Sequence, residues 1–231
     1  MSFNNPVMPW RELNKTLSWT RHGELELADD EEEKPGSQQP SDTPPRPLGP
    51  PVPYAELHVH SAYSFLDGAS SPRELVAEAE RLGLTALAVT DHDGLYGAVQ
   101  LAQAAKGSSV ATVFGTELSL SADHAERTGH PDPPGAHLLL LARDADGYRS
   151  LSRAIGDAHL RGEGKGHAVY DLEDLAARAD GRWSVLTGCR KGLVPRALAE
   201  SGPHAAAREL DRLRALFGRD NVAVEIGRAH V

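Results

Sequence analysis

Short apolar runs alternate with amphipathic stretches from residue 54 onward, and this pattern predicts strands separated by helices. Helices are expected from Ser71, near 97–106, and where apolar residues recur at helical spacing around 148–155 and 206–217. Strands are predicted at 55–60, 84–90, 110–120, 137–142, 183–187 and 222–225. The repeated order of strand and helix indicates an α/β fold built from βα units with parallel strands.

The segment beginning at Ser71 carries the clearest helix start. Pro72, which suits the first helical turn, follows Ser71 directly, and Glu74 stands three residues after the serine. Ser71 and Glu74 match a capping box, in which each side chain bonds the backbone N–H group of the other residue. We therefore expect an N-cap at Ser71 and a helix from Pro72.

Residues 1–53 differ in composition from the rest of the chain. They contain ten of the sixteen prolines and an acidic run at 29–33. Such a stretch buries too little apolar surface to offset its loss of conformational entropy, so it is predicted to be a disordered tail. Trp10, Leu13 and Leu17 could share one helical face. A short docking helix and a transient helix both stay open at 10–19.

The formal net charge of −9 argues against a surface that binds DNA unaided, because phosphate backbones select basic surfaces. The single cysteine, Cys189, excludes a disulfide within the chain and fits a reducing compartment. The sequence opens without a basic and apolar leader, and no apolar run approaches the roughly 18 residues of a membrane span. A cytoplasmic protein without a membrane partner is therefore expected.

Side chains that bind metals recur where the predicted strands end. His58 and His60 stand two apart on the first strand, so both imidazoles should face the same side. Because the ends of parallel strands share one rim of a barrel, the other candidates should join them there. The candidate ligands are His58, His60, Asp67, His92, Glu117, His137 and Cys189. No residue is assigned a catalytic role of its own or a role in binding an organic cofactor.

This mixture of side chains suits divalent metal ions. Imidazole and thiolate favour zinc, whereas imidazole with carboxylate suits manganese or iron. Seven candidates exceed the four ligands of one tetrahedral ion, which predicts two or three clustered ions. Clustered ions lower the pKa of a bound water and stabilise the oxygens of a phosphoryl group, so phosphoester hydrolysis is the expected chemistry.

Each candidate alone also has an ordinary structural explanation. A His-x-His pair is common on surfaces, residues 91–93 could form a turn, and Cys189 could fill a core. Glu117 is harder to explain in this way, because a carboxylate on a buried strand needs a partner. The histidines outside the candidate set are expected to be solvated: His22, His124, His130, His159, His167 and His204.

Five segments contain or adjoin the candidate ligands: HVHSAYSFLDG at 58–68, AVTDHDGLYGAV at 88–99, FGTEL at 114–118, HLLLLARDADGYRSLSR at 137–153 and TGCRKG at 187–192. Together they resemble the PHP domain (polymerase and histidinol phosphatase) of bacterial C-family DNA polymerase alpha subunits. The resemblance runs from about residue 54 to residue 225. The NNPVMPW, PDPPG and TGCRKG segments point to the error-prone branch of this family.

The resemblance implies a distorted, TIM-like (β/α)7 barrel whose seven candidate residues hold a metal cluster. An Asp-x-His pair on a later strand would complete that cluster beyond this chain. The full-length protein would be a DNA-directed DNA polymerase in damage tolerance and repair, with magnesium in its polymerase domain. Its partners would be DNA, dNTPs, the rest of the polymerase chain and accessory damage-tolerance proteins. This chain alone would lack polymerase activity, because the carboxylates of nucleotidyl transfer lie in later domains.

Residues 226–231 are expected to be a non-native end of a truncated domain. Gly227 and Arg228 interrupt the apolar strand pattern, and IGRAHV matches one reading frame of a common sequencing-adapter sequence. Two other functions stay open. One is a stand-alone phosphoesterase for a small phosphate monoester such as histidinol phosphate, and the other is a non-catalytic scaffold stabilised by its metals.

Overall fold

The computed structural model describes residues 53–65, 67–120, 135–162, 164 and 167–225. The helix predicted at 10–19, nearly all of the tail predicted at 1–53 and the end at 226–231 lie outside these residues. The described elements are β1 (Ala55–Glu56), α1 (Pro72–Leu82), β2 (Ala86–Val89), α2 (Ala98–Ala104), β3 (Ala111–Ser119), β4 (His137–Ala142), α3 (Ala145–Arg161), α4 (Leu172–Ala179), β5 (Trp183–Leu186), α5 (Leu193–Ser201), α6 (Pro203–Phe217), a 3₁₀ turn (Arg219–Asn221) and β6 (Val222–Ala223). None of the described helices is long and apolar enough to cross a membrane.

The described strands form one sheet whose spatial order follows the sequence from β1 to β6. β1, β2 and β3 are parallel to one another, and β5 is parallel to β6. β4 runs antiparallel to both of its neighbours, β3 and β5. The α/β fold is confirmed, with the sheet curled like half a barrel. The expectation that every strand runs parallel is wrong, because β4 is reversed.

The start of α1 shows the predicted capping box. Ser71 Oγ accepts a hydrogen bond from the Glu74 backbone N–H at 3.4 Å, and Glu74 Oε2 accepts one from the Ser71 N–H at 2.7 Å. Pro72 occupies the first turn, and the helix ends at Gly83, whose φ of 69° is a left-handed conformation that suits glycine. Both ends of α1 are therefore fixed by local sequence.

Apolar side chains cover both faces of the sheet. Leu138, Leu140 and Trp183 belong to a cluster shared with α3, α4 and α6. Leu139 and Leu141 alternate with them and belong to a smaller cluster on the opposite face, which we call the inner face. Burying one leucine side chain contributes about 1.5–3 kcal/mol, so β4 anchors apolar packing on both sides of the sheet.

The inner face also carries polar residues at one end of the sheet. His137 and Leu139 are two residues apart on β4, so the side chain of His137 also lies on the inner face. Glu117 alternates with Leu118, which packs on the helix-covered face. The Cα atoms of Glu117 and Leu139 are partners across the β3–β4 ladder. The fold thus brings an acid and an imidazole together beside a buried apolar layer.

Candidate metal centre

Glu117 lies at the centre of the site, with 1% of its surface exposed. Its Oε1 atom is 3.4 Å from His58 Nε2 and 3.2 Å from His137 Nδ1. Its Oε2 atom is 3.2 Å from His60 Nε2 and 3.4 Å from His92 Nδ1. One carboxylate therefore faces four imidazoles, two at each oxygen.

Asp67 lies on the open side of this cluster. Its Oδ2 atom is 3.0 Å from His92 Nε2 and 3.8 Å from His60 Nδ1. The rings of His60 and His92 are stacked, with their centroids 4.3 Å apart. Because Asp67 is exposed while Glu117 is buried, the site opens to solvent on the Asp67 side.

His58 and His60 lie in the segment that follows β1. Val59, between them, packs against the apolar cluster of α1, α2 and β2. Its carbonyl oxygen accepts a hydrogen bond from the Thr90 N–H at 2.8 Å, which holds this segment beside the end of β2. Because alternate residues of an extended segment face opposite sides, packing of the half-buried Val59 against this cluster is consistent with both imidazoles lying toward Glu117.

His137 reaches the site because β4 is reversed. As the first residue of β4, it pairs with Ser119, the last residue of β3. In a parallel strand the first residue would lie at the opposite end of the sheet from the end of β3. Because β4 is antiparallel, its first residue lies beside the end of the sheet that carries Glu117 and His92.

The buried carboxylate of Asp91 braces the loop that carries Asp67. Asp91 Oδ1 accepts hydrogen bonds at 2.8 Å from the Ser61 N–H and from the Ser64 hydroxyl. Ser64 Oγ also accepts from the His92 N–H at 3.2 Å. Asp91 directly precedes the candidate ligand His92, but its sequence position alone does not indicate this bracing role.

Glu225 contacts the site from the side away from Glu117. Its Oε1 atom is 2.8 Å from His58 Nδ1, while His58 Nε2 faces Glu117. The sequence pattern predicts only that Glu225 ends the last strand. The contact joins residues 167 positions apart, so no local spacing could have indicated it.

The structure brings six of the seven candidate ligands together. Among the described residues, three overlapping groups have ligand atoms within 4.8 Å of one another: His58, His60 and Glu117; His60, Asp67 and His92; and His92, Glu117 and His137. Cys189 belongs to none of these groups. It is exposed in the turn after β5, and its role as a ligand stays a prediction.

One histidine outside the set is less solvated than expected. His159 is half-buried, and its Nε2 atom lies at hydrogen-bonding distance, 2.8 Å, from the Asp93 carbonyl oxygen. His204 and His167 are exposed. Of the remaining histidines that were expected to be solvated, His22, His124 and His130 lie outside the described residues. The side chain of His159 on α3 reaches the loop after β2, and the sequence around His159 gives no sign of this contact.

Opposing electrostatic effects act on the central residues. Burial alone would raise the pKa of Glu117, but the close imidazoles of His137, His58 and His60 hold it well below its usual range. Burial lowers the pKa of His58, yet Glu117 and Glu225 outweigh that effect and raise it to about 10. Burial, followed by neighbouring His60, lowers the pKa of His92. In the absence of a metal, the Glu117 carboxylate is thus ionised, and a protonated His58 partly balances its charge.

The donor atoms fit a divalent metal ion. Two buried atoms, His92 Nδ1 and Glu117 Oε1, make no hydrogen bond within the described part of the chain. Buried polar atoms of this kind usually have a partner, which can be an ion. Imidazole nitrogens and carboxylate oxygens at such short separations are ligands of zinc, manganese and iron. The cluster is therefore a site that could hold metal.

Relatives with curated names are error-prone DNA polymerases. The chain is 51% identical over 230 residues to the error-prone DNA polymerase of Cutibacterium acnes and 50% identical over 230 residues to that of Mycobacterium tuberculosis H37Rv. Each alignment covers 98% of this chain but only 20% and 21% of the respective relative. The chain thus spans about a fifth of the length of these proteins.

Solved structures offer a weaker likeness. A protein from Bifidobacterium adolescentis, named as a metal-dependent phosphoesterase, is 17% identical, with a TM-score of 0.45 over 76% of this chain and 87% of the other. A Chromobacterium violaceum protein named as an amidohydrolase is 16% identical, with a TM-score of 0.43 over 75% of this chain and 86% of the other.

The family model described as the PHP domain matches residues 56–229. The match contains the six clustered ligand candidates, the exposed Cys189 and the carboxylate of Glu225. It covers most of the chain and all but the first of the described strands in full. The curled α/β sheet is therefore part of a PHP barrel, and the chain belongs to the PHP domain family.

Proposed function

We propose that this chain is the PHP domain of an error-prone DNA polymerase and that its site is a divalent-metal phosphoesterase centre. The observation that carries this proposal is the buried carboxylate of Glu117 among four imidazoles. Burying a carboxylate among several histidines costs folding free energy in an ordinary core, but this arrangement is common around metal ions. Similarity to named polymerases along nearly the whole chain supports the larger protein's identity.

The cluster is proposed to hold two or three ions of zinc, manganese or iron. Glu117 Oε1 faces His58 and His137, whereas Oε2 faces His60 and His92. Each oxygen of Glu117 therefore has its own pair of imidazoles, and these residues together would hold more than one ion. The overlapping groups support this, since His60, His92 and Glu117 each belong to two of them. The resemblance to polymerase PHP domains adds Cys189 to the proposed ligands.

Bound ions would lower the pKa of a water and stabilise negative charge on phosphoryl oxygens. The protein's own contribution is to hold the ligands in place. Asp91 and Ser64 hold the loop that carries Asp67, and packing of the half-buried Val59 against the α1, α2 and β2 cluster helps to orient His58 and His60. The exposed Asp67 marks the side from which a phosphoester would approach.

The whole polymerase is proposed to synthesise DNA during damage tolerance and repair. Its substrates and partners would be DNA, dNTPs and accessory damage-tolerance proteins, with magnesium at the polymerase site and the cytoplasm as its location. The relatives are about five times longer than this chain and are named as error-prone DNA polymerases, and these names support the assignment. This chain alone is proposed to have no polymerase activity and only slow nuclease activity.

Two alternatives differ in substrate and in chemistry. A stand-alone, histidinol-phosphatase-like enzyme would hydrolyse small monoesters faster than a DNA 3′ end. A non-catalytic scaffold would bind metal and gain stability without hydrolysing either substrate. The exposed position of Asp67 favours a site that a substrate can enter over a closed structural site.

Hydrolysis by the purified full chain tests this function. The chain would be incubated with manganese and either single-stranded DNA or para-nitrophenyl phosphate. We expect slow, metal-dependent release of nucleotides from the DNA, lost in Glu117→Gln and kept in the control Glu200→Gln. Glu200 is a suitable control because it lies on the surface of α5 in an ion pair with Arg196.

The outcomes separate the three functions. Cleavage of para-nitrophenyl phosphate alone would favour the small-monoester enzyme. Bound manganese without hydrolysis of either substrate would favour the scaffold. Equal rates for wild type and Glu117→Gln would show that the activity does not come from this site.

A further inference from the structure

His58 uses both of its ring nitrogens. Nε2 lies 3.4 Å from Glu117 Oε1 at the centre of the site, and Nδ1 lies 2.8 Å from Glu225 Oε1 on the other side. The side chain of His58 is 10% exposed and that of Glu225 is 16% exposed. This short and well-shielded contact therefore decides how the imidazole is oriented.

The contact with Glu225 determines which ring nitrogen of His58 carries the proton. An ionised carboxylate only accepts hydrogen bonds, so His58 Nδ1 must be the donor. When Nδ1 holds the proton of a neutral imidazole, the lone pair is on Nε2, which faces Glu117. A metal-binding histidine commonly donates its other N–H to a carboxylate, which sets both the tautomer and the ring angle.

Glu225 is itself held by the end of β5. Its backbone N–H donates to Thr187 Oγ1 at 2.9 Å, and the Thr187 N–H donates to the Ala223 carbonyl oxygen at 3.1 Å. Thr187 is 2% exposed. These bonds hold the chain after β6 beside the end of β5 and bring the Glu225 carboxylate to His58.

The first strand does not supply this orientation by itself. β1 has only two residues in its ladder, and His58 lies beyond them. The Nδ1 atom of His58 contacts the carboxylate of Glu225. The Nδ1 atom of His60 lies 3.3 Å from the hydroxyl oxygen of Ser64. Both imidazoles thus have a partner on the side away from Glu117.

We propose that Glu225 is a positioning residue of the metal centre, which holds His58 with its proton on Nδ1 and its Nε2 lone pair toward the metal. This inference rests on the proposed function, because it requires a metal at Nε2. Only Oε1 of Glu225 is engaged with His58. Oε2 is buried and has no hydrogen-bond partner among the described residues, so a direct role as a ligand must be distinguished by experiment.

Zinc affinity and the His58 tautomer test the proposal together. Zinc would be titrated into the full chain and into Glu225→Ala, Glu225→Gln and the surface control Glu200→Ala, in competition with a chromophoric chelator. Removing an outer partner of a metal ligand typically weakens affinity about 10- to 100-fold, and we expect that loss for Glu225→Ala. Glu225→Gln should retain most of the affinity, because its amide oxygen can accept from Nδ1. Glu200→Ala should match the wild type.

Long-range proton–nitrogen NMR of the zinc-loaded chain reads the tautomer directly. The His58 signals are assigned by their loss in His58→Asn. In the wild type and in Glu225→Gln, we expect a proton on Nδ1 and zinc on Nε2. Circular dichroism without metal shows whether Glu225→Ala folds. If it does not fold, the zinc affinity of Glu225→Gln and the His58 tautomer of the wild type still test the proposal.

Three results would overturn the proposal. Wild-type affinity and tautomer in a folded Glu225→Ala would remove Glu225 from the site, although zinc binding by the wild type would leave the proposed function intact. Loss of a zinc ion in Glu225→Gln would show that Glu225 is a ligand and not a positioning residue. Failure of the wild type to bind zinc would overturn this inference, and failure to bind manganese and iron as well would overturn the proposed function.

Discussion

His92 and Glu117 meet twice, once through the backbone and once through their side chains. Their backbones form an isolated parallel bridge beyond the end of β2, and His92 Nδ1 lies 3.4 Å from Glu117 Oε2. The Glu117 N–H also donates to the Asp91 carbonyl oxygen at 3.2 Å. Backbone pairing thus holds one ligand candidate against the central carboxylate before any metal arrives.

Loss of a candidate ligand should reduce the stabilisation that metal provides. In excess zinc or manganese, His58→Ala and His92→Ala should lower the melting temperature more than His204→Ala does. Binding to the folded state adds about 2.7 kcal/mol at a metal concentration 100 times the Kd, whereas an exposed histidine should change stability by no more than about 0.5 kcal/mol. Thermal unfolding with and without metal measures the difference.

His204 serves as the control for that series because it is exposed on α6. His159 would be a poor control, since it lies within hydrogen-bonding distance of the Asp93 carbonyl oxygen. Equal melting shifts for the His58, His92 and His204 variants would be evidence against the assignment of His58 and His92 as ligands.

The brace under the Asp67 loop should be needed for stability even without metal. Ser64→Ala removes a donor to Asp91 and an acceptor for the His92 N–H. Leaving buried polar groups unsatisfied costs about 1–3 kcal/mol, so urea should unfold the metal-free variant at a lower concentration than wild type. Ser152→Ala, on the exposed side of α3, is the matched control. A Ser64→Ala midpoint equal to that of the control would show that the brace contributes little.

Cys189 allows a separate test of the ligand set. If it binds metal as the resemblance to polymerase PHP domains implies, Cys189→Ser should weaken zinc binding while leaving the metal-free chain as stable as wild type. The stability of the metal-free chain should change little, because serine has nearly the same size and shape as cysteine. Chelator competition measures the affinity and urea unfolding the stability. Unaltered zinc affinity would limit the set to the six residues that the structure clusters.

Local patterns predicted much of the fold. The capping box at Ser71 and Glu74 and the apolar run of β4 both appear where they were expected. The helix α4 was missed, although Asp171 caps it and its buried Leu172, Leu175 and Ala179 have helical spacing. The helix α5 was also missed, because none of its residues is buried and it has no side-chain cap.

The direction of β4 and the partners of His58 could not be predicted in the same way. A strand that is buried on both faces has the same apolar run in either direction, so HLLLL did not reveal the reversal that brings His137 to Glu117. The contact between His58 and Glu225 depends on strand order across the whole sheet. Sequence motifs identified the ligand types, but tertiary structure decided which of their atoms meet.

Metal content tests the central claim most directly. The wild-type chain, Glu117→Gln and the surface control Glu200→Gln would be loaded with manganese or zinc, dialysed, and analysed for bound metal per chain. Because Glu117 faces all four clustered imidazoles, we expect more than one ion in the wild type and in the control, and a clear loss in Glu117→Gln. A wild-type chain without bound metal, or a Glu117→Gln variant with as much metal as the control, would contradict the account.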